Sequence, residues 1–303
     1  MKADGTLVLL YHRVADLARD PHDLAVHPDR FAQHCQILKQ RFTVVPLRTV
    51  TRSFERAIAI TFDDGYADNA AEARRILAAA GLPATFFITV GRLGLRREVW
   101  WDRLAQLLLL CETTSDAVEI ELGGRPLWVD IRSAAGRERA HWALFWRLRP
   151  MRPSAIESVL DDLEGRLGVR SVDREAYRWM TSDELVALSR TGGVDIGGHT
   201  VTHPFLAALD PDEQRREIRG CRDSLEMMLG SAAHLFSYPY GGSDAIATVT
   251  PTLVRDAGFT MGCTTTGGLA RADCDPFRLP RNVVGNWDAS RFEQWLDGWF
   301  ADN

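Results

Sequence analysis

The sequence predicts an α/β fold with a mainly parallel sheet, interrupted by a largely helical insertion. Three observations carry this reading. A strand–helix–strand succession with short links runs from Ala57 to Val90, and such a βαβ unit implies parallel pairing. The same rhythm resumes after residue 180. Between them, residues 92–180 break it and hold six of the nine tryptophans: Trp100, Trp101, Trp128, Trp142, Trp146 and Trp179.

Taken in order, Thr6–Tyr11 reads as a buried strand because it is continuously apolar after Thr6. Phe31, Cys35 and Leu38 give Pro28–Gln40 helical periodicity, and Val44–Leu47 reads as a short strand. Ala57–Phe62 is another buried strand, closed by Asp63-Asp64-Gly65. Ala67–Ala80 is an alanine-rich helix that stops at Gly81, with Pro83 beyond it. Ala84–Val90 is the next strand. In the insertion, Trp100–Leu110, Ser133–Leu148 and Pro153–Leu167 have helical patterns, and Val118–Leu122 with Leu127–Val129 flank Gly123-Gly124 as a hairpin. Thr181 and Glu184 make a capping box for a helix over Ser182–Arg190. A strand at Val194–Ile196 ends in Gly197-Gly198-His199. Asp210, Pro211 and Glu213 start a helix over Pro211–Leu229. His234–Tyr238 reads as a strand, Pro251–Ala257 as a helix and Phe259–Cys263 as a strand. Repeated βα units over this length predict a barrel-like or open α/β architecture, whose working residues sit at the carboxyl ends of strands.

Composition narrows the class. The 303 residues are 46% hydrophobic and 25% charged, which excludes disorder and fibrous chains. A net charge of −5 argues against a general nucleic-acid binder. Of the 36 basic residues only Lys2 and Lys39 are lysines, which reads as a coding bias toward arginine. The longest apolar run near the start, Leu7–Tyr11, is too short for a signal-peptide core, and no segment is long and apolar enough to span a bilayer. The five cysteines (Cys35, Cys111, Cys221, Cys263, Cys274) are odd in number and scattered, which predicts reduced thiols and a cytoplasmic setting.

Four motifs fall at expected strand ends. In Thr61-Phe62-Asp63-Asp64-Gly65 two adjacent carboxylates repel unless a cation or proton is shared. On an extended segment they point different ways, so one can bind a metal while the other moves a proton. Alone, either could simply cap the following helix. His199-Thr-Val-Thr-His203-Pro has the spacing for a divalent metal across a strand-to-helix turn, though two structural histidines would look the same. Ser237-Tyr238-Pro239-Tyr240-Gly241-Gly242 is a rigid loop whose backbone N–H groups could face a ligand, or an ordinary turn. Tyr11-His12-Arg13-Val14 places a histidine at the end of the first strand.

The order of these motifs resembles the polysaccharide deacetylases of carbohydrate esterase family 4, through residues 57–91 and 181–263 and more loosely through 6–47. The Leu-Tyr-His12-Arg-Val opening is similar to the poly-N-acetylglucosamine deacetylase branch, in which the motifs are circularly permuted and an N-terminal histidine is the general acid. The resemblance implies a distorted (β/α) barrel, formed by residues 1–91 and 181–303, with 92–180 as a mainly helical insertion subdomain. It implies a metal-dependent amide hydrolase that removes an N-acetyl group. Asp64, His199 and His203 would hold one divalent metal, most often zinc, with nickel, cobalt or iron as alternatives. Asp63 matches the base, His12 the acid, and the Tyr240 N–H the oxyanion donor. Trp100, Trp101 and Tyr238 are candidates to touch substrate.

Two departures stand out. The common family pattern has an arginine where Ser237 stands, to orient the base; Arg281, in Arg278-Leu-Pro-Arg281, is the candidate replacement. No histidine follows His234, so the usual C-terminal Leu-x-x-His is missing and His12 must serve as acid. The expected substrates are an N-acetylated sugar, a nucleotide sugar, a lipid-linked saccharide or a small glycoside, with no nucleic-acid partner. The insertion is expected to act as a lid or specificity wall. Two alternatives remain: deacetylation of a small N-acetylated natural product, and a catalytically silent saccharide-binding or assembly protein. A glycosidase fits poorly, because adjacent carboxylates do not straddle a bond at roughly 5–10 Å.

Overall fold

The computed structural model of the chain describes residues 5–52, 56–110 and 116–300. The chain divides into two compact units, Met1–Gly94 with Trp179–Asn303, and Leu95–Arg178.

The first unit begins with β1 (Thr6–Tyr11), followed by the two-residue strands β2 (Arg13–Val14) and β3 (Ala25–Val26), then α1 (Pro28–Arg41). Next come β4 (Thr43–Val44), β5 (Ala57–Phe62), α2 (Arg74–Ala80) and β6 (Ala84–Ile88). The strand expected at Val44–Leu47 is shorter, and Leu47–Thr49 is a 3₁₀ turn; Pro46 has no N–H to give a ladder. The helix expected over Ala67–Ala80 opens with a π turn at Asn69–Ala73 before α2, and Gly81 ends it in the left-handed conformation.

The second unit contains α3 (Trp100–Ala105), the hairpin of β7 (Ala117–Leu122) and β8 (Arg125–Asp130), α4 (Ala134–Leu148) and α5 (Pro153–Leu167). Gly123 and Gly124 turn the hairpin, both with positive φ, as a tight two-residue turn demands. Its core gathers Trp100, stacked on Phe145 at 5.2 Å, with Trp101 against Trp100 at 5.4 Å. Arg103, buried, reaches Glu157 at 2.5 Å and Asp161 at 3.0 Å.

The first unit resumes with α6 (Ser182–Ser189), β9 (Val194–Gly198), α7 (Pro211–Leu229), β10 (Leu235–Ser237), α8 (Thr250–Asp256), β11 (Met261–Cys263), β12 (Leu269–Ala270), β13 (Asn282–Val283) and α9 (Ala289–Phe300). The capping boxes at Thr181/Glu184 and Asp210/Glu213 both form. Trp179, read from sequence as part of the insertion, belongs to this unit: its ring lies parallel to Tyr66 at 5.3 Å, and Met180 N–H donates to Gly65 O.

The sheet runs β11-β10-β9-β6-β5-β1-β12, with β4 on β5 and β13 on β1. All these pairings are parallel except β1 with β12. Every residue of β1, β5 and β6 is buried, as expected for strands covered on both faces. At the seam, Leu279 bridges to Cys263 of β11, and Asn282–Val283 pair with Leu9–Leu10 of β1. Residues 279–283 thus join β1 to β11 and curl the sheet into a distorted half-barrel. The four described cysteines are free thiols, three of them buried; Cys111 lies outside the described residues. No described helix is long and apolar enough to cross a membrane.

Helix α9 closes the first unit against α1. His34 of α1 stacks on Phe292 at 3.9 Å, and its Nε2–H donates to Trp287 O at 2.9 Å. Burial pushes the His34 pKa down to about 4. An unfolded histidine titrates near 6.5, so between these values the unfolded chain binds more protons and stability falls as pH falls. The expected loss is about 3 kcal/mol between roughly pH 6.5 and 4, at about 1.4 kcal/mol per pKa unit. Denaturant unfolding across that range should show a slope that His34→Gln flattens. Equal slopes would contradict the assignment.

Candidate active site

The first unit brings the sequence motifs together at the carboxyl ends of its strands. Asp63 and Asp64 follow β5, His199 follows β9, Ser237 ends β10, Thr264 follows β11, and Arg281 lies in the seam before β13. Tyr11 pairs with Phe62 in parallel register, and the Asp63 N–H donates to Tyr11 O at 3.1 Å. His12 and Asp63 therefore leave neighbouring strands side by side.

Asp64, His199 and His203 form the described chain's one potential metal-binding group, with their ligand atoms within 4.8 Å of one another. Asp64 Oδ1 is 3.4 Å from both His199 Nε2 and His203 Nε2. His199 Nδ1 lies 2.8 Å from Ser237 O. A carbonyl only accepts, so Nδ1 carries a proton, and when Nε2 is unprotonated its lone pair faces the centre of the group. Burial pulls the His203 pKa down to about 3, leaving that ring neutral. For His199, burial pushes the same way but is outweighed by Asp63 and Asp64, which raise its affinity for a positive charge. Two imidazoles and one carboxylate, buried and convergent, fit a divalent ion with coordination positions to spare.

Asp63 Oδ2 comes to 3.9 Å from His199 Nε2, but its main partner is Arg281. Its carboxylate receives a two-pronged pair from Arg281: Nη1 to Oδ1 and Nη2 to Oδ2, each at 2.7 Å. Arg281 is fully buried and also donates to Ser237 Oγ at 2.7 Å, Thr264 O at 3.0 Å and Thr61 Oγ1 at 3.3 Å. Ser237 Oγ lies 3.0 Å from Asp63 Oδ2. Burial alone would raise the Asp63 pKa, but Arg281, then His199, hold it well below the usual carboxylate range. The serine at the place of the expected arginine is thus part of a rearranged clamp, with the guanidinium arriving from the seam. Thr61 and Thr264 were missed in the sequence. Thr61 was accessible: two residues before Asp63 on an extended strand, it shares that side chain's face.

His12 is half-buried. When protonated it favours the ionised form of both Asp63 and Asp64, and its carbonyl accepts from Asn69 Nδ2 at 2.9 Å. Arg13 fixes the same turn through Asp68 at 3.0 Å. Tyr240 sets its ring edge-on to His203 at 4.7 Å. Asp64, Thr200, His203 and Tyr240 have φ of 77°, 66°, 61° and 61°. They are four of six described non-glycine residues with positive φ, a concentration of backbone strain typical of functional sites.

Three candidates are corrected. Tyr238 is fully buried and its hydroxyl donates to Phe277 O at 2.8 Å, so it is a core residue with no face left for substrate. Trp100 and Trp101 are 3% and 5% exposed and pack into the second unit's own core. The tryptophans of that unit with broad exposure are Trp128 and Trp146, at 66% and 57%.

The family model described as polysaccharide deacetylase matches residues 52–107 and 168–262. The chain belongs to the polysaccharide deacetylase family. The match takes in Asp63, Asp64, His199, His203, Ser237 and Tyr240 and stops before Arg281. Solved structures share the deacetylase fold at low identity. The Streptococcus pyogenes deacetylase PplD, in complex with acetate, aligns at 18% identity and TM-score 0.61, over 96% of this chain and 97% of that one. IcaB from Ammonifex degensii aligns at 17% and 0.61, over 98% of each chain. The de-N-acetylase from Aggregatibacter actinomycetemcomitans aligns at 14% and 0.60, over 96% of this chain and 99% of that one. No curated protein sequence matches the chain. Family and fold support a hydrolytic deacetylase of N-acetylated sugars.

Proposed function

We propose that the chain is a metal-dependent N-deacetylase of an amino sugar or saccharide precursor, with Asp63 as base and His12 as acid. The observation that carries this is the pairing of two separate carboxylate environments. Asp64 faces two imidazole Nε2 atoms, while Asp63 faces the buried Arg281 fork. Neighbouring carboxylates are thereby given different tasks.

A divalent metal held by Asp64, His199 and His203 would polarise an acetyl carbonyl and acidify a water. Asp63, kept ionised and aimed by Arg281 and Ser237, accepts the proton of the attacking water. Arg281 costs Asp63 basicity, so the base works on an acidified water. His12 donates a proton to the departing amine, which leaves poorly as an anion. Its half-buried position allows it to exchange protons with solvent. The Tyr240 N–H, on a strained loop beside His203, is assigned to the developing oxyanion. His12→Ala should lower kcat by about 10²–10⁴-fold, the usual worth of a positioned acid. An unchanged kcat would remove His12 from the mechanism.

We further propose that the second unit sets substrate range, as a lid or specificity wall. Its connection supports this: the chain leaves for it just past the carboxyl end of β6, the end at which the site residues gather. Acetate release from N-acetyl sugars, nucleotide sugars and short oligosaccharides, with zinc added, tests the function as a whole. Saccharide affinity with no release would replace the enzyme by a binding protein.

A further inference from the structure

We propose that Glu217, on α7, is the positioning residue that holds the His199–His203 loop in its metal-binding conformation. The inference rests on the metal-site reading above. The loop must do something unfavourable: Thr200 sits at φ 66° and His203 at φ 61°. For a β-branched threonine the left-handed region is a genuine outlier, and such a conformation persists only where the surrounding structure holds it. Local bonds supply part of that hold: Thr200 Oγ1 donates to His199 O at 2.5 Å, and His203 N–H donates to Thr200 Oγ1 at 3.1 Å.

The centre of the loop is gripped from outside. Glu217 Oε2 accepts from the backbone N–H of both Val201 and Thr202, each at 2.9 Å, and Oε1 accepts from Thr202 Oγ1 at 2.7 Å. One carboxylate thus satisfies three donors between the two histidines. Bonds to an ionised acceptor are about twice as strong as neutral ones. On the other side, Gly91 N–H donates to Val201 O at 2.8 Å. A Cβ at Gly91 would meet that oxygen at 2.6 Å, so only glycine permits the approach. Gly220, one turn after Glu217, lets α7 come close: a Cβ there would lie 3.3 Å from Val201 Cγ2. The loop is therefore held between α7 and the turn after β6. The carboxylate touches neither histidine side chain and acts through the backbone that joins them.

The test is calorimetric titration of the metal-free full chain with Zn²⁺, with circular dichroism and the melting temperature of the metal-free form recorded alongside. Wild type should bind one Zn²⁺ and His199→Ala should not. Glu217→Ala should weaken binding by about 10–100-fold, the usual cost of losing an outer support. Glu217→Gln, which keeps the shape and part of the acceptor capacity, should recover much of that loss. Should Glu217→Ala fail to fold, Thr202→Val removes one of the three bonds and should weaken Zn²⁺ severalfold. Unchanged Zn²⁺ affinity in folded Glu217→Ala, with only a lower melting temperature, would overturn the positioning role and leave the metal site standing. Absence of Zn²⁺ binding by wild type would overturn both.

Discussion

Asp63→Asn should lower kcat by about 10²–10⁴-fold while the protein still carries one metal per chain. The magnitude is that of a positioned general base. Metal retention follows from geometry: Asp64 Oδ1 is the carboxylate atom 3.4 Å from both imidazoles, and Asp63 spends both oxygens on Arg281. Asparagine is nearly isosteric, so the fold and the three metal-binding residues should persist. Acetate release and metal analysis on the same preparation separate the outcomes. Loss of metal would move Asp63 into the metal-binding set, and unchanged kcat would remove it from the chemistry.

Arg281→Met should destabilise the protein by about 3–5 kcal/mol and abolish measurable turnover. Removing one partner of a buried ion pair leaves the other charge without compensation. Here the stranded group is Asp63, 3% exposed, and Thr264 O and Ser237 Oγ lose donors as well. Arg281→Lys keeps the charge but not the two-pronged geometry, so it should recover part of the stability and little of the rate. Denaturant midpoints and initial rates check both variants. A methionine variant as stable as wild type would show that the clamp does not matter energetically.

Arg281 was legible as the candidate to orient Asp63, but the seam that brings it there was not. Parallel strands and their ends were legible because Ala57–Phe62 and Ala84–Ile88 are continuous apolar runs bounded by turn residues. Asp63 and Asp64 were legible because they come directly after the run Ala57–Phe62, and His199 and His203 because of their His-x3-His spacing after Gly197-Gly198. Arg281 belongs to no periodic element: it lies between a single bridge at Leu279 and the two-residue β13, and its partner is set by barrel closure. Closure is a tertiary event that local pattern does not encode. The tryptophans misled for a related reason. Composition marked the insertion as aromatic, but only packing decides which rings face inward, and Trp100 and Trp101 do. Tyr238 shares its motif with Tyr240, but its place beyond the buried β10 strand puts its ring in the core. The grip of Glu217 on the histidine loop was invisible because it joins a helix to a turn through backbone N–H groups, which leave no residue signature.

On the proposed mechanism, hydrolysis needs a metal on Asp64, His199 and His203. The most direct measurement is acetate release from N-acetylglucosamine oligomers by one preparation of the full chain, assayed after chelation and again after adding back Zn²⁺. Release should be negligible after chelation, recover at one equivalent of metal, and fail to recover in His199→Ala. Equal rates with and without metal, or recovery in His199→Ala, would contradict that mechanism.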